Sequence, residues 1–391
     1  MHDGWLVEPL GGLVRIASGQ VDPKVEGIGE LLSVGPENLF SGGGLNRGNL
    51  LSAREQGHIS GKYAFDSHAI LYSKIRPNLN KVALPDFDGI CSADMYPLWI
   101  ADETKADRQY LFYVLTSDKF VAEATSRSFR TGLPKINRTD LESIEIVVPP
   151  IEEQRKISEI VRTWDEAIQN YQTLVSCYER EYLALRNRLV RWEGIERQRL
   201  KSVIRTVSRP VPRPSNAYRA LSVRSHGKGA YIRTVGDPES VDMDTLYVTK
   251  AGDLIVNITF AWEGAIALVR DEMDGCLVSH RFPTFVPDQS KINPSFLRHV
   301  VRMPRFTNFL KLVSPGGAGR NRVLNKKDFL ELEIPYLSLS RQEQIAEILD
   351  TAELSVLTAS SLKSDIQAQK RGLMQKLLTG EWRVNVEEHQ K

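Results

Sequence analysis

Cysteine is scarce in this chain of 391 residues: three in all, Cys91, Cys177 and Cys276, widely spaced and odd in number. That excludes a disulfide framework and any CxxC metal site, and it suits a reducing compartment. No apolar run approaches the ~18 residues that a membrane span requires. The opening MHDGWLVEPLGG has neither the basic n-region nor the apolar h-region of a secretory leader, so the expected location is cytoplasmic. Net charge is only +2. Bulk charge therefore says nothing about nucleic acid, and the placement of the basic residues must decide.

The signatures of catalysis are missing too. GGGLNRG and GKGAYIRTVG fit neither G-x-G-x-x-G nor the phosphate-cradling P-loop spacing. No H-E-x-x-H occurs, and the seven histidines (His2, His58, His68, His226, His280, His299, His389) contain no ligand-spaced pair. VVPPI lacks the Asp, Asn or Ser that an amino-methyltransferase loop places before its prolines. ALPDFDGI has the Pro-Asp start of a nuclease core, but no acidic-x-Lys strand follows nearby, and an Asp-Gly turn accounts for it. The sequence reads as a binding protein rather than an enzyme, with no metal or cofactor of its own.

What the chain does have is a repeat. IEEQRKISEIV from Ile151 returns as LSRQEQIAEIL from Leu339, 188 residues later and without a gap. NRTDLESIEI (Asn137–Ile146) falls on NKKDFLELEI (Asn325–Ile334), and nine of the 27 positions from 137 to 163 are identical to their partners. Chance would give roughly two. Each half begins with short strand signals separated by Gly, Pro, Asn and Asp: HAILYSKI, NKVAL and GICSADMYPLWI in the first, DTLYVTKAGDLIVNI and GAIALVRDEMDGCLVSHRFPTFV in the second. A helical segment follows in each, DRQYLFYVLTS and NPSFLRHVVRMPRFTNFLKLV. Even DFDGICS and EMDGCLVS recur in order.

Each half closes with a long helical pattern, from about Glu152 to Arg191 and from about Ser340 to Leu378. Ile157, Trp164, Tyr171, Tyr178, Leu185 and Trp192 recur every seven residues. Ile160, Ala167 and Leu174 supply a complementary position that fails at Glu181 and Arg188. Ile345, Ala352, Ala359, Ile366 and Leu373 repeat the spacing in the second helix. Sustained heptads argue for a coiled coil, and at ~1.5 Å per residue each helix is roughly 58 Å long. Large-against-small matching fits parallel or antiparallel pairing. Topology favours antiparallel, a pseudo-twofold solution with Tyr171 opposite Ala359 and Tyr178 opposite Ala352. The expected fold is α+β: two β-rich domains in tandem repeat, separated by an antiparallel two-helix coiled coil. Its expected parts are 1–150, 151–199, 200–338 and 339–391.

Basic residues cluster where the halves correspond. SRSFRTGLPKINRT (126–139) carries Arg127, Arg130, Lys135 and Arg138 and no acid. KLVSPGGAGRNRVLNKK (311–327) carries Lys311, Arg320, Arg322, Lys326 and Lys327, again with no acid. Glycine allows close backbone approach, while Arg and Lys neutralise phosphate or read guanine edges. One such loop would be a solvated turn; two at equivalent places point to DNA. SKIRPNLNK adds Lys74, Arg76, Asn78 and Lys81 beside Tyr72, and its counterpart NITFAWEGA offers Asn257, Thr259 and Trp262 with little charge. A third run, Arg186 to Arg213, has nine basic residues against Glu193 and Glu196 and contains the linker SRPVPRPSN. A solvated helix end explains it as well as DNA contact does.

Taken in order, LESIEIVVPPIEEQRKI, a long helix, LELEIPYLSLSRQEQI and a helix ending LMQKLLTGEWRV resemble the specificity subunit of type I restriction-modification systems over essentially the whole chain. Tyr336-Leu337-Ser338-Leu339 departs from the motif by lacking the double proline, and the first helix ends Leu189-Val190-Arg191-Trp192 rather than Leu-Leu-Thr-Gly. The resemblance implies two target recognition domains, each reading half of a split double-stranded DNA sequence, with the paired helices as a ruler. It implies a non-catalytic chain that binds no cofactor. Its partners would be two methylation subunits, which use S-adenosylmethionine on adenine N6, and restriction subunits, which use ATP and Mg2+. A stand-alone DNA-binding regulator and a protein-binding scaffold are the competing classes. Salt-dependent DNA binding separates the scaffold, and partner co-purification separates the regulator.

Overall fold

The computed structural model describes residues 4–128, 133–317 and 322–385. The chain divides into two compact units: residues 1–172 with 361–391, and residues 173–360.

In the first unit β1 (Leu6–Pro9), α1 (Leu10–Leu13) and β2 (Val14–Ile16) are followed by seven short strands: β3 (Leu32–Val34), β4 (Leu51–Ser52), β5 (Tyr63–Phe65), β6 (Ile70–Ser73), β7 (Val82–Ala83), β8 (Gly89–Cys91) and β9 (Met95–Ile100). They form two four-stranded sheets, ordered β2-β9-β6-β7 and β4-β3-β8-β5. Helices α2 (Arg108–Thr116), α3 (Asp118–Ser126) and α4 (Arg138–Glu142) precede β10 (Glu145–Val148) and the long α5 (Ile151–Leu189). Strand β10 returns antiparallel to β1, with Leu6 opposite Val148. The domain is thereby closed at its base beside the start of α5. GICSADMYPLWI is two strands, with a turn at Ser92–Asp94 between them.

The second unit repeats the plan. Strands β11 (Arg197–Arg199), β12 (Ile204–Val207), β13 (Pro210–Pro212), β14 (Tyr218–Val223), β15 (Ala230–Val235), β16 (Thr245–Val248), β17 (Leu254–Val256), β18 (Ile266–Leu268), β19 (Leu277–Val278) and β20 (Thr284–Pro287) lead to α6 (Pro294–Val301), α7 (Pro304–Leu312), α8 (Lys326–Glu331), β21 (Glu333–Pro335) and α9 (Leu339–Thr379). The sheets are β12-β20-β17-β18 and β13-β16-β19-β14-β15, and β21 closes on β11. The recurring DFDGICS and EMDGCLVS enter β8 and β19, each the strand that makes its unit's parallel pairing, with β3 and β14 respectively. Pro304 splits the expected single helix into α6 and α7, because proline fits a first turn but not a helix interior.

The repeated glutamine explains why the helix opening is written twice. Gln154 and Gln342 are fully enclosed. Gln154 Oε1 accepts from the Asp107 N–H at 2.8 Å, while its Nε2 donates to the carbonyls of Lys105 and Pro149 at 2.7 and 2.8 Å. Gln342 does the same with the Asn293 N–H and the carbonyls of Lys291 and Leu337, at 2.8, 3.1 and 2.8 Å. One amide thus ties a long helix to the residues that cap α2 or α6.

The helices run antiparallel within the first unit, where Asp165 meets Lys370 and Gln172 meets Lys363, seven forward on one helix and seven back on the other. That register lies five residues further along α9 than the one expected from Tyr171 and Ala359. The seam also differs in its second line. Val161, Val175 and Tyr182 are buried with Ile168 and Leu189 half-buried, whereas Leu174 is 37% exposed. The complement to the Ile157 line therefore stands four residues on rather than three, which is why the sequence pattern failed at Glu181 and Arg188. Past Thr379, Gly380 turns the chain at φ 79°. Arg383 then pairs with the buried Glu153 at 2.7 Å, and that carboxylate also accepts from Trp5 Nε1 at 2.9 Å. The ending LLTGEWRV is a clasp on the first unit.

In the second unit the helix joint is a polar cluster. His299 is fully enclosed, with Nε2 2.7 Å from Asp350 Oδ1 and Nδ1 3.0 Å from the Tyr182 hydroxyl. The tautomer that satisfies both donates from Nε2 and accepts at Nδ1. Glu353 pairs with both Arg298 and Arg302, and Arg298 reaches Asp350 at 2.5 Å. Burial pushes the Asp350 carboxyl up, but the hydrogen bonds from His299 and Ser295 and the Arg298 charge outweigh it and leave it at about 2. Burial pushes the His299 imidazole below its ordinary 6.5, against the pull of Asp350. Below that pH the unfolded chain takes up a proton that the enclosed ring refuses, so stability falls with pH. Unfolding midpoints measured from pH ~7.5 down to ~5.5 should drop, and His299→Gln should flatten the decline. An unchanged decline would assign it to other groups.

Candidate nucleic-acid interface

In the first unit the chain leaving β6 makes a tight turn at Pro77–Leu79, with Arg76 and Asn80 on either side in the left-handed region at φ 48° and 50°. Asn visits that region readily, but Arg does so rarely and is held there by its surroundings. The holding partner is the end of the basic loop. The Ile136 N–H donates to the Lys74 carbonyl at 2.9 Å and the Arg76 N–H to the Pro134 carbonyl at 2.8 Å. Two basic clusters that lie apart in sequence therefore become one surface: Lys74, Arg76, Asn78, Lys135 and Arg138.

Tyr96, which no pattern in the sequence marks out, is its centre. Lys74 Nζ stands 4.7 Å and the Arg138 guanidinium 6.0 Å from the ring centroid. Two acids accompany them: Asp94, 3.5 Å from Lys135, and Glu142, which acts on the Tyr96 ring. Burial, then Lys135, pushes the Lys74 amine down, while Asp94 opposes. Two expected members face elsewhere. Lys81 Nζ donates to the Pro36 carbonyl at 2.6 Å, and Arg127 is held by Glu123 at 2.6 Å and by Ser143 at 2.5 Å.

The second unit builds the same junction from other residues. The Leu324 N–H donates to the Ile258 carbonyl at 2.9 Å. Positions 136 and 324 are a repeat pair, so Ile258 stands where Lys74 stands in the first unit. Asn257 Oδ1 accepts from the Thr259 N–H at 3.1 Å, Trp262 Nε1 donates to the Thr259 carbonyl at 3.2 Å, and the Arg322 guanidinium lies 5.5 Å from the Trp262 ring centroid. Lys311 and Lys326 are exposed on α7 and α8. Arg130 and Arg320 lie outside the described residues. The Ile258 N–H donates to the Arg281 carbonyl, which joins this loop to a surface cavity of about 720 Å³ lined by Arg233, Asp237, Ser279, His280 and Arg281. His226, at φ 62°, hydrogen-bonds the Glu263 carbonyl next to Trp262. The basic pair His280-Arg281 was a signal available in the sequence; the backbone angle of His226 was not.

Elsewhere, His299, Asp350 and Glu353 are the one group of possible metal ligands among the described residues whose atoms converge within 4.8 Å. Arg298 and Arg302 already engage those carboxylates, so an added cation would meet two guanidiniums. The cluster is an ion-pair network. Among the described residues no helix is long and apolar enough to cross a membrane.

A family model for the type I restriction modification DNA specificity domain matches residues 3–175 and 224–366. The chain belongs to this family. It is 45% identical to the EcoDI specificity subunit of Escherichia coli over 103 residues, which cover 26% of this chain and 22% of that protein. With the MjaVIII specificity subunit of Methanocaldococcus jannaschii it shares 23% identity over 326 residues, 76% of this chain and 75% of the relative. In fold it is similar to the type I restriction-modification S subunit from M. genitalium, with a TM-score of 0.60, 16% identity and 96% of each chain covered. It is also similar to a chain from a structure of type I system assembly and conformational transition, with a TM-score of 0.59, 19% identity, and 97% and 99% covered. Two specificity domains in tandem, each joined to long helices, are the architecture of this chain.

Proposed function

We propose that this chain is the DNA-recognition subunit of a type I restriction-modification complex, that each unit reads one half of a bipartite target, and that helices α5 and α9 set the interval between the halves. The observation that carries this reading is the loop junction made twice, Ile136 to Lys74 and Leu324 to Ile258. Each unit presents one polar surface at the same point of its fold, and the side chains there differ. A shared frame with different side chains suits two readers of two different half-sites, since base readout depends on which donors and acceptors meet the groove.

In this reading the chain supplies recognition and its partners supply chemistry. Two methylation subunits transfer the methyl group of S-adenosylmethionine to adenine N6, each on an extruded base. Restriction subunits add the ATP- and Mg2+-dependent work on DNA in the cytoplasm. The test exchanges residues 1–150 for the first domain of another specificity subunit, assembles the complex and sequences the methylated sites. One half of the target should change and the other persist. A change in both halves, or in neither, would overturn the division of labour.

A further inference from the structure

Lys74 is an unusual residue for a protein surface that meets DNA, because only 8% of it is exposed. A buried ammonium ordinarily has a carboxylate or several carbonyls around it, since an unpaired charge away from water is costly. Among the described residues no acceptor takes a hydrogen bond from Lys74 Nζ, which stands over the face of Tyr96 at 4.7 Å with the Asp94 carboxylate acting on it from nearby. Lys135 and Arg138, the latter also donating to the Ala17 carbonyl, bring two more positive charges to the same ring and loop, against two acids: Asp94, whose carboxylate is already 3.5 Å from Lys135, and Glu142, which acts on the Tyr96 ring. The first unit therefore holds a recessed, converging and incompletely neutralised positive site. Among the described residues the second unit has no counterpart, since Ile258 stands at the place of Lys74.

We propose that Lys74, flanked by Lys135 and Arg138, seats one backbone phosphate of the DNA. The second unit holds its half-site without this contact, through Trp262, Arg322 and polar groups. This rests on the DNA-recognition reading and extends it to the chemistry of one contact. A phosphate rather than a base edge is the ligand because of reach. Base edges lie ~8.5 Å down the major groove, and a recessed ammonium cannot extend to them. The phosphates are the outermost groups of the duplex, and lysine meets them as a compact point charge.

The experiment uses the full chain assembled with its methylation subunits and titrates a random-sequence duplex at several salt concentrations. Each lost phosphate contact lowers the slope of log affinity against log salt by about 0.9, so Lys74→Met should lose about three- to fourfold more affinity at 50 mM than at 200 mM salt. Lys135→Ala, a change at an exposed position that leaves the fold alone, should lower the slope in the same direction. Ile258→Val should leave it unchanged, and the methylated sequence should be that of the wild type in all three. An unchanged slope in both lysine variants overturns the phosphate seat, and so does relaxed specificity at one base pair, which marks a base contact. If the wild-type complex itself shows no salt-dependent DNA binding, the recognition reading fails instead.

Discussion

Glu353→Ala should cost the second unit about 3–5 kcal/mol of stability, the range for removing one partner of a buried ion pair. The Glu353 side chain is 15% exposed, and it pairs with Arg298 and Arg302, themselves 24% and 22% exposed. Its loss leaves two guanidiniums facing each other beside an enclosed, neutral His299, with the part-exposed Asp350 left as the carboxylate that Arg298 engages. The corresponding position in the first unit is Asp165, which binds Lys370 and the Tyr113 hydroxyl but keeps 40% of its surface. Water screens that group, so Asp165→Ala should cost ~1 kcal/mol or less from charge pairing. Hydrogen exchange in α6 for the first variant and in α2 for the second reads each unit separately. Equal losses in the two would refute burial as the deciding factor.

The contrast between those two positions shows what the sequence carried and what it did not. A repeat of 188 residues, the long helices and the strands from β6 to β9 and from β16 to β20 were legible, because periodicity and turn residues report backbone state locally, whereas β1–β5 and β11–β15 were not read. The choice between Leu174 and Val175 for the helix seam was not legible. Positions three and four residues beyond a heptad line are both sterically acceptable, and only the partner helix selects one. The interface was half legible. Acid-free loops marked Lys135, Arg138 and Arg322, but the convergence of residues 74 and 135 depends on two backbone hydrogen bonds across sixty residues of chain. Tyr96 sits in an apolar strand and carries no signal of its own. Arg127 and Lys81 looked equivalent to their neighbours in sequence and are engaged instead by Glu123 and by the Pro36 carbonyl.

The repeated glutamines should prove local and expensive to lose. Gln154→Leu removes one acceptor and two donors from an enclosed site and strands the Asp107 N–H and the carbonyls of Lys105 and Pro149. Each buried group left unpaired costs about 1–3 kcal/mol, so about 3 kcal/mol or more should be lost from the first unit. Gln342→Leu should do the same to the second through Asn293, Lys291 and Leu337. Glutamate is not a rescue: a carboxylate can accept from the Asp107 N–H but cannot donate to the two carbonyls, and it would be buried as an anion. Amide exchange should therefore accelerate at the start of α5 and in α2 for Gln154→Leu, and at the start of α9 and in α6 for Gln342→Leu. If Gln154→Glu exchanged as slowly as the wild type, the donor half of this joint would be unimportant. The conformation of the helix opening would then depend on packing of Ile157 and Ile345 alone, and the identity of Gln154 and Gln342 across the repeat would have no structural cause.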